Sequence, residues 1–273
     1  MISQTLTPVE IIVVDDGSTD DTAQIAASFG STIRYIRQEN AGVSAARNRG
    51  VAESSGELIA FLDADDTWNS SKLEKQAARF EADPAVGLVH CGMREFDGET
   101  GEELKTILEG TEEGSAESLL LWEGPTVNVS GSVIMVSRAA FEEVGGFDTR
   151  IKCGEDWDLS YRIARKYKVA FVPEALVNYR IHGAAAHRNV RDMEHGMSLF
   201  YEKAFADPEV AHLRRRAYGN FHKVMAGSYL HAGDGKSFVS HTIKSLTMYP
   251  GNFAYFASFP FRLLKRRSGG NID

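Results

Sequence analysis

The stretch Val9-Glu10-Ile11-Ile12-Val13-Val14-Asp15-Asp16-Gly17-Ser18 decides the fold class. Apart from Glu10, the residues before Asp15 are β-branched and apolar, the pattern of a strand buried on both faces of a parallel sheet. The strand stops at an acidic, glycine-containing turn. Thr19-Asp20-Asp21-Thr22 then supplies an N-cap for a short helix closed by Gly30. Thr32 to Arg37 reads as a second strand, Gly42 to Glu53 as a helix, and Glu57-Leu58-Ile59-Ala60-Phe61-Leu62 as a third strand. This alternation predicts an open α/β sheet whose ligands sit at the carboxyl ends of its strands. The polar clusters fall at those ends: Asp15-Asp16, then Gln38-Glu39-Asn40, then Asp63-Ala64-Asp65-Asp66.

Further along, Ser71 to Glu81 is predicted helical and Val86 to Phe96 strand. Residues 97–117 are rich in Glu and Gly and read as a solvated acidic loop. Ser132 to Ser137 is expected to be a strand, Arg138 to Val144 a short helix, and Glu155 to Tyr167 a longer one. Two short strands, Val169 to Val172 and Ala175 to Ile181, follow. From about Val190 the pattern is helical. The expected organisation is a sheet domain over residues 1–188 and a helical carboxyl-terminal region over 189–273.

Composition narrows the function classes. The chain has 273 residues, 43% hydrophobic and 25% charged, which excludes disordered and low-complexity architectures. Its net charge of −8 argues against a general nucleic-acid binder. Two cysteines, Cys91 and Cys153, exclude a disulfide scaffold and point to reduced thiols and a cytoplasmic setting. Neither a signal sequence nor an apolar run of spanning length is present, so the expectation is a soluble or peripheral protein. Gly233-Asp234-Gly235-Lys236-Ser237 resembles a phosphate loop, but its spacing fails and no strand precedes it.

The Asp63-Ala64-Asp65 cluster carries chemistry. If the extended conformation persists, its two aspartates project to one side. Oxygen ligands at a strand end suit a hard divalent ion, Mg²⁺ or Mn²⁺, with open positions for phosphate oxygens. A turn whose aspartates cap the next helix is the other reading. The second aspartate pair, Asp15-Asp16, at another strand end of the same expected sheet favours a nucleotide-diphosphate site.

Five segments in order resemble the signature segments of family 2 glycosyltransferases: Glu10 to Asp20, Asn40 to Gly50, Phe61 to Asp66, Gly145-Gly146-Phe147-Asp148, and Gly154-Glu155-Asp156-Trp157-Asp158-Leu159. The resemblance covers residues 4–183 and implies the GT-A fold, an open mixed sheet flanked by helices. It also implies an inverting transferase with a nucleotide-activated sugar and Mg²⁺ or Mn²⁺. By position it assigns the base and ribose of the donor to Asp15 or Asp16, whose carboxylate can accept the N3–H of uracil. Asn40 and Arg47 border the nucleotide; their ordinary alternatives are a helix start and a surface arginine. Asp63 and Asp65 match the family's DxD, with Asp65 the direct metal ligand. Asp156 matches the general base, with Glu155 and Trp157 on the acceptor side; a core position is the alternative for Trp157. His182 is placed near the diphosphate or metal, against the alternative of a lone exposed histidine.

Family members begin with an apolar strand followed by a helix, and the match here starts only at that helix's end, around Ser3-Gln4-Thr5, so the first strand and most of the helix are expected to be missing from this sequence. Either the chain is a truncated product or another segment fills the gap, and the strand at Val9 to Val14 is expected to lack a neighbour. At the other end, Arg214-Arg215-Arg216 and the aromatic, basic run from Phe253 to Arg267 are compatible with peripheral contact on an anionic membrane, or with a terminal helix and a solvated basic tail. The leading expectation is transfer of sugar from a UDP-sugar to a sugar or lipid-linked hydroxyl acceptor in surface polysaccharide or glycolipid synthesis, at the inner face of the plasma membrane. A non-catalytic nucleotide-sugar-binding remnant and a metal-dependent nucleotidyltransferase are the alternatives.

Overall fold

The structure, a computed structural model, describes residues 1–182 and 190–258. They divide into two compact units: Met1–Leu119 with Glu123–Phe200, and Leu120–Trp122 with Tyr201 onward.

The first unit starts as the sequence predicts, with β1 (Ile12–Asp15), α1 (Thr22–Ser28), β2 (Arg34–Arg37), α2 (Val43–Ala52) and β3 (Leu58–Ala60). The expected single sheet through these strands is not what forms. β1 and β2 make a two-stranded parallel sheet, whereas β3 joins a six-stranded mixed sheet. Among the described residues no strand pairs with the other side of β1. Ile12, Val13 and Val14 are accordingly half-buried and Val9 is 87% exposed, although their sequence suits burial on both faces. Within the expected capping stretch, Asp20 accepts hydrogen bonds from the N–H and hydroxyl of Thr22, while Asp21 holds the N-cap position without a side-chain cap bond.

The larger sheet adds β4 (Thr67–Trp68), β5 (Val86–Asp97), β6 (Glu103–Ile107), β7 (Met135–Ser137) and β8 (Lys168–Ile181). Its order is β3-β7-β5-β8-β4, with β6 paired to β5. The 97–117 segment is therefore more than a solvated loop: β6 turns back antiparallel on β5, and α4 (Ser115–Leu121) follows. The two short strands expected between Val169 and Ile181 are one strand, parallel to β5 and interrupted by a bulge where Cys91 pairs with Val172 but Gly92 with Ala175. Pro173, which has no N–H to give a ladder, sits in that bulge. Gly92 is required there, because a Cβ would lie 2.7 Å from the Ile107 carbonyl oxygen and 2.8 Å from that of Glu174.

Val89, Cys91, Val133, Ala170, Leu176 and Val177 pack beneath α3 (Lys72–Ala82) as the core of this sheet, with Trp68 and Phe80 at its margin. Full burial of such aliphatic side chains contributes about 1.5–3 kcal/mol each. α5 (Arg138–Glu143) and α6 (Glu155–Ala164) complete the supports of the site, and α7 (Val190–Ala204) follows. Asn48 on α2 holds the Gly145-Gly146-Phe147 segment in both directions, accepting the Phe147 N–H at 2.9 Å and donating to its carbonyl at 2.8 Å.

The second unit is helical, with α8 (Arg214–His231), α9 (Gly235–Met248) and α10 (Phe253–Ala257). α8 and α9 meet at His222 and His241, whose Nδ1 atoms are 3.1 Å apart, and at Ser245, which donates to the Gly219 carbonyl. No helix among the described residues is long and apolar enough to cross a membrane. Residues 259–267 of the aromatic, basic run lie outside the described residues.

Candidate active site

The carboxyl end of β1 carries Asp15 and Asp16 into a turn that ends beside Asn40. Gly17, at φ +89°, makes this possible, since a Cβ there would sit 3.1 Å from the Asn40 nitrogen. Asp15 is buried; its Oδ1 accepts the Ser18 N–H at 2.7 Å and its Oδ2 the Tyr35 hydroxyl from β2. The Tyr35 hydroxyl first, and the Ser18 N–H after it, bring its pKa down to about 2. Asp16 accepts from the Gln38 amide and the N–H groups of Ala41 and Gly42. Burial alone would raise its pKa, but these donors outweigh it and lower it. Both aspartates thus fix the approach to α2, and Asn40 is exposed at its start.

The third strand end does not stay extended. The Asp66 N–H bonds back to the Asp63 carbonyl at 3.2 Å, so Asp63 and Asp65 lie on a turn and face different partners. Asp65 Oδ2 is 2.9 Å from His182 Nε2, at the end of β8, which joins two of the residues singled out from sequence. Asp63 instead meets Arg47, its Oδ1 accepting from Nη2 at 2.6 Å.

Arg47 is the hub. From α2 its Nη1 reaches Glu155 Oε1 at 3.0 Å and Asp156 Oδ1 at 2.7 Å, on the first turn of α6, while the guanidinium lies 5.3 Å from the Phe147 ring centroid. Its side chain is 10% exposed, so the surface-arginine alternative falls away. Gly154, the N-cap of α6, is in the left-handed region at φ +89°, and the positive end of the helix favours the acids behind it. Burial pushes Glu155 up to about 7, with Asp156 adding to the shift and Arg47 opposing it. Burial also raises Asp156, against the pull of Arg47. Trp157 is half-buried and its indole N–H donates to the Leu119 carbonyl at 3.1 Å.

Three participants were not assigned roles from sequence. Asp66 accepts the Arg180 N–H through Oδ1 at 2.9 Å, while its Oδ2 is buried without a hydrogen-bond partner. Burial pushes its pKa up to about 6, against the Ser132 hydroxyl and the Arg180 N–H. Arg180 donates from Nε to the Asp65 carbonyl at 3.0 Å and so holds the aspartate turn onto β8. Gly131 donates its N–H to Asp156 Oδ2 at 2.9 Å. Only Asp66 gave a signal in the sequence, as the third acid of its run.

A cation here would find Asp65 and His182 converging, with Asp63 on the same turn but held by Arg47. Among the described residues no three His, Cys, Asp or Glu side chains form a ready-made metal cage. The two arrays, acids of the aspartate turn and acids of α6, are bridged by one guanidinium.

The model of the family described as Glycosyl transferase family 2 matches residues 1–145, more than half of the chain. The chain belongs to glycosyl transferase family 2. Uncharacterized glycosyltransferase RP339 of Rickettsia prowazekii (strain Madrid E) is 31% identical over 186 residues, 67% of this chain and 58% of the relative. Uncharacterized glycosyltransferase alr2836 of Nostoc sp. is 32% identical over 203 residues, 68% of this chain and 60% of that protein. The match thus spans little more than half the length of these curated relatives. Among solved structures, S. aureus TarS 1-349 in complex with UDP superposes with a TM-score of 0.56 at 16% identity, covering 90% of this family 2 chain and 84% of TarS. That likeness shows the fold, the GT-A arrangement of a mixed sheet flanked by helices.

Proposed function

We propose that this family 2 chain is an inverting glycosyltransferase that moves a sugar from a nucleotide-diphosphate donor, UDP favoured, to a hydroxyl acceptor. The observation that carries the reading is the Arg47 cluster, which holds the first acid of the aspartate turn and the Glu155-Asp156 pair around one point. Inversion in one displacement needs a single carboxylate to take the acceptor's proton, and Asp156, raised by burial at the head of α6, suits that role. Glu155 and Trp157 flank it on the acceptor side. The Asp15–Asp16 turn and Asn40 shape the nucleotide end, and the UDP bound to TarS supports a uridine donor.

Mg²⁺ or Mn²⁺ fits the residues between these ends. Asp65 and His182 converge on one point, Asp63 stands on the same turn, and Asp66 carries a buried oxygen with no hydrogen-bond partner, so the local balance favours an added cation. Two or three protein ligands suffice for such ions, which take the rest of their shell from phosphate and water. When bound, the ion supplies charge to the departing diphosphate. Arg180 keeps the aspartate turn in register for it.

The test is incubation with a panel of nucleotide-diphosphate sugars and Mn²⁺, reading free nucleotide diphosphate and the anomeric configuration of any product. Release from a UDP-sugar with inverted product is expected; release from none of the donors, with or without candidate acceptors, would overturn the reading. For the setting, we propose surface polysaccharide or glycolipid assembly, with Val239, Ile243 and Phe253, exposed on α9 and α10, as a peripheral membrane face. Binding to vesicles with and without anionic lipid tests that face.

A further inference from the structure

One guanidinium holds both halves of the site. Arg47 Nη2 occupies Asp63 Oδ1 at 2.6 Å, and Nη1 occupies Asp156 Oδ1 at 2.7 Å and Glu155 Oε1 at 3.0 Å. Since Gly131 donates to Asp156 Oδ2, both oxygens of Asp156 are engaged. The fold makes room for this: a Cβ on Gly131 would lie 2.4 Å from Arg47 Nη2 and 2.7 Å from Cζ, so only glycine leaves the guanidinium its seat.

We propose that Arg47 is a latch that couples the cation to the nucleotide diphosphate: it resists a cation alone at Asp63, and yields when a diphosphate arrives with the cation and gives the guanidinium another partner. Three considerations carry this. A divalent ion that took Asp63 as a ligand would compete with the guanidinium for Oδ1, which Arg47 Nη2 already occupies at 2.6 Å, and the two positive charges would repel each other. Leaving the acids costs Arg47 three charge-assisted hydrogen bonds, which a cation by itself does not replace. A diphosphate does, because its oxygens match the planar fork of arginine. The movement would also free Asp156 Oδ1, so the candidate base meets the acceptor only after the donor is seated. This last consequence rests on the function proposed above, and the competition at Asp63 on the cation proposed there.

Linkage makes the idea measurable, since a cation and a nucleotide coupled through one residue must each raise the other's affinity by the same factor. The experiment titrates Mn²⁺ into the full chain with and without saturating UDP, following free Mn²⁺ by electron paramagnetic resonance. In the wild type UDP should tighten Mn²⁺ by about tenfold, within the usual range of such couplings. In Arg47→Gln, Mn²⁺ alone should bind several-fold tighter while the gain from UDP falls to about twofold or less. Gly131→Ala keeps the arginine but fills its seat, so it too should tighten Mn²⁺ alone, and it decides the matter if Arg47→Gln does not fold. Mn²⁺ alone binding no tighter in the folded variants would overturn the latch. A wild type that binds Mn²⁺ but shows no effect of UDP would overturn the proposed donor and the coupling, while the Mn²⁺-only comparison would still decide the competition at Asp63.

Discussion

Asp156 meets Arg47 through one oxygen and the Gly131 N–H through the other, so replacing it by asparagine keeps its shape and loses its ability to take a proton. Asp156→Asn should lower kcat by about 10²–10⁴-fold while Mn²⁺–UDP binding stays equal or becomes slightly tighter, because an amide is a weaker partner for the arginine. Steady-state kinetics beside equilibrium binding checks both halves, and an unchanged kcat would place the base elsewhere. Asp65 differs, being 42% exposed and paired with His182 on a turn. Asp65→Ala should abolish Mn²⁺-dependent nucleotide binding and leave the thermal midpoint within a few degrees, since exposed positions contribute within about 0.5 kcal/mol. Calorimetry and a melting curve on the same variant separate the two effects.

At the scale of elements, α6 depends on how it begins. Gly154 caps it at φ +89°, with Met197 Sδ 3.2 Å from where a Cβ would be. Gly154→Ala should destabilise the protein by about 1–2 kcal/mol, the cost of a left-handed L-residue, read by urea unfolding; a neutral effect would show that the helix start can relax. This element also shows what a sequence can disclose. The aspartates after β3 were legible because an apolar run ends abruptly in charge, and Glu155-Asp156 because its segment resembles a family signature. Arg47 was singled out only as a border of the nucleotide; that it joins these acids to one another is seen only once the fold sets α2 beside α6. β8 reads as two strands because Pro173 interrupts its pattern, and only the β5 ladder shows that it continues. β6, Glu103-Leu104-Lys105-Thr106-Ile107, hides among acids because four of its five residues are exposed, leaving no apolar alternation to detect. The split between the β1–β2 pair and the larger sheet is likewise a matter of pairing, which apolar runs do not specify.

For the molecule as a whole, the sheet core contains a charge. Lys72 on α3 is fully buried, its Nζ 2.7 Å from Gln76 Oε1 and 4.1 Å from the Trp68 ring centroid. Burial pushes its pKa from 10.5 down to about 8. Below that value the ammonium is charged in folded and unfolded chains alike and its burial costs most; as pH rises through it, the folded chain loses the proton first. The contribution of Lys72 to stability therefore rises with pH until the unfolded chain titrates as well. Relative to Lys72→Met, wild-type stability should rise by about 2 kcal/mol between pH 7 and 10, measured by urea unfolding followed through tryptophan fluorescence; parallel pH profiles would show that the buried lysine keeps its proton over this range, as it does in the unfolded chain. The two cysteines offer a different use of the same architecture. Cys91 lies in β5 at the centre of the larger sheet, Cys153 one residue before the cap of α6, and both are buried cysteines whose pKa burial raises to about 11. A thiol reagent reaches either one only when its surroundings open, so labelling rates become two built-in clocks. Cys153 times the breathing of the acid-bearing helix, Cys91 the opening of the sheet, and a cysteine introduced on the outer surface would react ahead of both.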